Sequence, residues 1–78
     1  MELQEFKKLI NEKLSINTDN ITLDTDITSD MGIDSIDVME IIMAIESKYE
    51  IRFDDEKIKD LKKVSDVLAY VSQLKNNK

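Results

Sequence analysis

Cysteine, histidine and proline are missing from this 78-residue chain, and it holds a single glycine. Without cysteine or histidine there is no disulfide, no thiol nucleophile, no Ser-His-Asp or Cys-His catalytic arrangement and no ordinary zinc site. Chemistry is left to hydroxyls, carboxylates, amines and surfaces. With glycine and proline so scarce, the usual punctuation of strands and hairpins is lost as well. Positive charge is short: 11 basic residues face 17 acidic ones, a net of −6, whereas a nucleic-acid backbone calls for an excess of Lys and Arg. Nucleic acid is therefore not an expected partner. Long apolar runs are also lacking. The longest, Ile41-Ile42-Met43-Ala44-Ile45, falls far below the roughly 20 residues that span a bilayer. The first residues, Met1-Glu2-Leu3-Gln4-Glu5-Phe6-Lys7-Lys8, carry both signs of charge and no apolar stretch, so no secretory signal is read. The expectation is a soluble, monomeric, cytoplasmic protein with no membrane insertion.

What is present is helical patterning. The apolar content suffices for one small core, and a chain this short buries only roughly 60% of its unfolded surface, so residues 1–78 are expected to form a single domain. Leu3, Phe6, Leu9, Ile10 and Leu14 recur at helical spacing and predict a first helix over residues 2–14. Residues 15–34 mix Asn, Thr, Asp and Ser with isolated Ile16, Ile21, Leu23, Ile27, Met31 and Ile33, which reads as a long loop pinned by apolar anchors. A connection of about 20 residues in so small a domain points to function. A second helix is predicted over residues 36–49. The acids Asp54-Asp55-Glu56 then lead a short third helix of about two turns carrying Ile58 and Leu61. Val64, Val67, Leu68, Val71 and Leu74 predict a last helix over residues 65–74, with Lys75-Asn76-Asn77-Lys78 placing positive charge at its C-terminus. The fold class is all-α: a small four-helix bundle of three longer helices and one short third helix, with a long first loop.

Unrolled at about 100° per residue, the second helix shows two apolar faces. Val38, Ile41, Ile42, Ile45 and Tyr49 form a core face. Ile36, Met39 and Met43 lie nearly opposite, beside Glu40, Ser47 and Glu50. Either the short third helix covers this second strip, or it is a binding surface on which adaptable Met side chains repack to each partner while acids steer the encounter. Acid concentrates here: from Asp30 to Glu50 six acids stand against Lys48 alone, a local net of −5. At the head of the helix, the lone Gly32 suggests a position needing positive φ or a close approach. Asp34 suits the N-cap, and Asp37 stands where a capping-box acid belongs. Ser35 would project from the first turn, where an attached phosphate meets free N–H groups and the positive end of the helix dipole. On these grounds alone it is equally a solvated helix-start serine.

The combination carries more. Asp34-Ser35-Ile36, within Gly32-Ile33-Asp34-Ser35-Ile36-Asp37, resembles the Asp-Ser-Leu attachment motif of the acyl carrier proteins. The segment Glu40-Ile41-Ile42-Met43-Ala44-Ile45-Glu46, the terminal Ala69-Tyr70-Val71, the acidity and the long first loop extend the likeness over essentially the whole chain, in the manner of discrete type II bacterial members. The resemblance implies a carrier and not a catalyst. It implies that a phosphopantetheinyl transferase (holo-acyl-carrier-protein synthase) moves 4′-phosphopantetheine from coenzyme A onto Ser35, giving a cysteine-free chain a thiol for acyl thioesters. It assigns the docking of basic patches on fatty acid synthesis enzymes to Asp34, Ile36, Asp37, Met39, Glu40, Met43 and Glu46, with Asp37 and Glu46 as flanking charge guides. It further implies an acyl cavity lined by Ile42, Ile45, Phe53, Ile58 and Leu61. Departures occur at Phe53-Asp54, where an aliphatic-Pro pair is common, at Ile58, where a small residue is common, and at Lys62-Lys63. They suggest a tighter cavity for shorter chains.

Ile36 in place of Leu, together with Arg52, also fits a carrier for a polyketide, peptidyl or other specialised pathway. From other classes, an adaptor using the Met39 and Met43 strip needs no prosthetic group. A cation-binding reading rests on Asp24, Asp26, Asp30, Asp34 and Asp37. An EF-hand frame anchored on Gly32 would put Ile27, Ser29 and Met31 at early ligand positions and Val38 where Glu belongs, so no dedicated metal site is expected, only weak surface binding.

Overall fold

In the computed structural model, which describes residues 1–76, the chain folds into four helices: α1 (Leu3–Leu14), α2 (Ser35–Tyr49), α3 (Asp55–Ile58) and α4 (Val64–Asn76). The all-α prediction holds, and Asn77 and Lys78 of the expected basic tail lie outside the described residues. Acidic side chains start the helices. Glu5 Oε1 accepts the Glu2 N–H at 3.4 Å, Asp34 Oδ1 the Asp37 N–H at 3.0 Å and Asp54 Oδ1 the Glu56 N–H at 3.0 Å. With one glycine in the chain, the left-handed residues that close α1 and α2 are Ser15 (φ 54°) and Glu50 (φ 55°).

The first and second helices start within one residue of the sequence reading, and the third and last depart further from it. The third helix is a single turn of four residues, because after Ile58 the chain tightens into the bonds Asp60 N–H to Lys57 O (2.9 Å) and Leu61 N–H to Ile58 O (3.2 Å). The last helix begins at Val64 and continues to Asn76. Its earlier start has a local cause: Asp66 Oδ2 accepts the N–H groups of Lys62 and Lys63 at 3.2 and 3.1 Å, satisfying donors the helix start leaves free.

The core gathers Phe6, Leu9 and Ile10 of α1, Ile41, Ile42 and Ile45 of α2, Val64, Val67 and Val71 of α4, together with Phe53. The long loop is anchored by buried Ile21 and Ile27, while the Leu23 side chain stays 48% exposed outside the core. Backbone pairing with the start of α4 supplies the rest. The Ile27 N–H donates to Lys62 O (2.8 Å), Val64 to Thr25 O (3.0 Å) and Ser65 to Leu23 O (2.9 Å), around a β-bridge between Asp26 and Lys63. The loop therefore lies fixed against α4 and delivers the chain to the start of α2.

One polar clasp ties α1, α2 and α4. Tyr49 Oη donates to Glu5 Oε2 at 2.6 Å, Lys48 Nζ lies 3.8 Å from the same oxygen, and Lys75 Nζ sits 4.7 Å from the Tyr49 ring centroid. Burial, then the hydrogen bond and charge of Glu5, push the Tyr49 phenol up to about 12 from 10.0. The Tyr49 bond, then that from the Glu2 N–H, hold the Glu5 carboxyl below its usual value. The native state thus keeps the Tyr49 proton that the unfolded chain releases. This contribution to stability is complete below pH about 10 and is lost as the pH rises towards about 12. Urea melts across that window should show a decline in stability that is shallower in Tyr49→Phe; parallel declines in both proteins would contradict the clasp.

Candidate functional site

The site is built from the turn that feeds α2. Asp26 Oδ1 accepts the N–H and hydroxyl of Thr28 (3.0 and 3.1 Å) and the N–H of Ser29 (3.0 Å), and Asp30 Oδ2 accepts the Asp26 N–H (2.8 Å). The hydrogen bonds from Ser29, then those from Thr28, hold the Asp26 carboxyl below its usual range. Gly32 has φ +67°, and a Cβ built there meets nothing within 4 Å. Of the two reasons for a glycine, positive φ is the operative one. Asp34 then caps α2 as predicted. The reciprocal bond, in which the Asp34 N–H would donate to the Asp37 carboxylate, is not formed among the described residues, since Asp is one methylene shorter than the usual Glu.

Ser35 is the first residue of α2 and is exposed. Its hydroxyl stands at the positive end of the helix dipole with solvent beside it, which suits a bound phosphodiester. Behind it runs a groove of about 510 Å³ lined by Asp26, Ile27, Thr28, Ser35, Val38, Met39, Ile58, Lys59, Leu61 and Lys62. A hydroxyl open to an incoming group and a largely apolar groove with the same residue in its lining together fit a prosthetic arm attached at Ser35.

The sequence-predicted residues divide in space. Ile36, Met39 and Met43 are 71%, 40% and 61% exposed along one side of α2, with Glu40 exposed between them and exposed Asp34 at the head. The third helix does not cover this strip. Asp37 is half-buried at its edge. Glu46 turns away: its Oε2 accepts the Phe53 N–H at 2.8 Å, fixing the chain beyond α2. Of the residues assigned to an acyl cavity, Ile58 and Leu61 line the groove beside Ser35, whereas Ile42, Ile45 and Phe53 are 2%, 0% and 5% exposed in the core and form no part of that wall. Ile27, Val38, Lys59 and Lys62 belong to the wall without any sequence signal that assigns them to it. Helical periodicity marks Val38 only as inward-facing, Ile27 and Lys62 reach the groove through loop pairing that no local spacing encodes, and Lys59 is placed by the end of the third helix. Of the five acids weighed as cation ligands, Asp26, Asp30 and Asp34 are engaged locally, each accepting a backbone N–H group. Among the described residues no three carboxylates converge as a metal site.

Comparison with known proteins adds to this geometry. Residues 4–71 match the family described as a phosphopantetheine attachment site. The chain is 39% identical over 69 residues to the acyl carrier protein of Clostridium perfringens, covering 88% of this chain and 91% of that one. To the acyl carrier protein of Campylobacter jejuni it is 41% identical over 71 residues (91% and 92% covered), and to that of Phytoplasma mali 39% over 77 residues (99% and 92%). The crystal structure of the acyl carrier protein from Thermotoga maritima aligns with a TM-score of 0.88 at 25% identity, covering 96% of this chain and 87% of that one.

Proposed function

This chain belongs to the acyl carrier proteins, whose prosthetic group is 4′-phosphopantetheine, and from that premise we propose that Ser35 bears the arm and that residues 1–78 form one carrier domain serving fatty acid biosynthesis. The observation that carries the reading is the exposed Ser35 hydroxyl at the start of α2, beside a largely apolar groove. When bound, the arm supplies the thiol this chain lacks, on which acyl groups travel as thioesters. The protein's own residues do the remaining work without catalysis. Asp34 holds the helix start, so that Ser35 is presented in one orientation to a transferase. Ile36, Met39 and Met43 offer apolar contact, and Asp34, Asp37 and Glu40 attract basic docking patches on the transferase and on synthesis enzymes. Glu46, already bonded to the Phe53 N–H, adds charge at the far flank. No helix among the described residues is long and apolar enough to cross a membrane.

Incubation with coenzyme A and a broad-specificity phosphopantetheinyl transferase, followed by intact mass measurement, tests the assignment. Wild type should gain one arm and Ser35→Ala none; equal gain in both would overturn it.

The groove also bears on cargo. Each methylene buried against Ile27, Val38, Ile58 and Leu61 contributes about 0.8 kcal/mol. Past that wall a chain meets Ile42, Ile45 and Phe53 packed in the core, and entering there means displacing them. This supports a preference for shorter acyl groups, and the apolar wall favours hydrocarbon cargo over the polar groups of a peptidyl carrier. Thermal midpoints of a series of acyl forms should rise with chain length and then level off. A rise that continues through long chains would exclude the preference.

A further inference from the structure

The groove beside Ser35 holds two cations, Lys59 and Lys62, that neither the docking strip nor the core uses. Both side chains are exposed, and neither is in an ion pair among the described residues, where the one pair formed joins Lys48 to Glu5. Their backbone is held firmly. Ile58 and Leu61 anchor the segment against the core, Lys62 O accepts the Ile27 N–H at 2.8 Å, and the Lys62 N–H donates to Asp66 at 3.2 Å. The third charged group of the groove, Asp26, has its Oδ1 engaged by Thr28 and Ser29 in its own turn.

Across from these lysines, Ser35 opens a helix in a strongly acidic stretch: residues 30–50 carry six acids and one lysine. A phosphodiester on Ser35 adds another negative charge to that field, and the helix dipole offsets only part of the repulsion. Lys59 and Lys62 are the cations that share its groove. Ammonium groups on flexible stems suit a tetrahedral anion whose approach is not fixed to one plane, and such pairs are charge-assisted hydrogen bonds.

We propose that Lys59 and Lys62 form a seat for the phosphodiester of the arm on Ser35, drawing the arm along the groove of its own carrier. The proposal rests on Ser35 as the attachment residue. It assigns the two lysines a positioning role, separate from partner docking on α2.

The test compares apo and holo forms of wild type, Lys59→Gln/Lys62→Gln and the control Lys57→Gln/Lys63→Gln, whose lysines lie outside the groove lining. The holo form carries no acyl group, so the phosphodiester is the only anion the arm brings. Intact mass first establishes loading of each protein. Loading should then raise the thermal midpoint of wild type and the control by about 4 °C at low ionic strength, and the gain should shrink with added salt. In the groove variant the gain should vanish, and the ³¹P shift of the phosphodiester should move towards that of the same diester in urea-unfolded holo protein. Lys59→Arg/Lys62→Arg should restore both readouts. Equal gains and equal ³¹P shifts in wild type and groove variant, with all proteins loaded, would overturn the lysine seat alone. A wild type that takes up no arm would instead remove the Ser35 assignment beneath it.

Discussion

Phe6→Ala is expected to lose about 3–5 kcal/mol of folding stability, the cost of removing a large side chain that has no exposed surface and whose neighbours close in only partly. Domains hold about 5–15 kcal/mol in total, and one this small lies towards the lower end, so the variant should be near its unfolding midpoint under mild conditions. Urea melts followed by helical circular dichroism measure the loss. Leu23→Ala, at an exposed site, should change stability by about 0.5 kcal/mol or less. The contrast has a functional side, because Phe6 packs α1 into the core that positions α2. Loading of Phe6→Ala by a transferase should fall in proportion to its folded fraction. Full loading of a largely unfolded variant would mean that the motif is read as a bare peptide and that the fold has no part in presenting Ser35.

Ile36→Asp combined with Met43→Asp should behave in the opposite way. Both side chains are exposed, so the melting curve should move little. Transfer of the arm to Ser35 should nevertheless slow by about 30–100-fold in kcat/KM, equivalent to about 2–2.7 kcal/mol, because an apolar contact is lost and a desolvated carboxylate is placed against the partner. Single-turnover loading monitored by intact mass separates the two expectations. A stable variant that loads at the wild-type rate would show that the strip plays no part in transferase recognition. Glu40→Lys provides an independent check through charge: its rate should fall less, and lose most of its dependence on ionic strength, because the acid guides encounter more than it holds the complex.

The exposed apolar strip of α2 is legible in the residue order because it follows from a period of 3.6. Ile36, Met39 and Met43 fall opposite the core residues of α2 whatever the rest of the chain does. Glu46 shares the same helix, yet its role depends on where Phe53 arrives after the turn at Glu50, and the carboxylate meets a backbone N–H seven residues away. The assigned acyl cavity divides for a similar reason. Ile42, Ile45 and Phe53 face inward into a packed core, whereas Ile58, the last residue of the one-turn third helix, and Leu61, in the turn that follows it, line the groove.

By itself, the amino-acid order determined the helical class, the capping aspartate at position 34, the free hydroxyl after it and the acidic field around it, because each depends on neighbours within about one helical turn. Tertiary structure alone decided that the loop pairs with the start of α4, so that Ile27 and Lys62 meet and Lys59 and Lys62 share a groove with Ser35. Backbone hydrogen bonds between distant segments carry no side-chain signature, and only packing brings their donors and acceptors together.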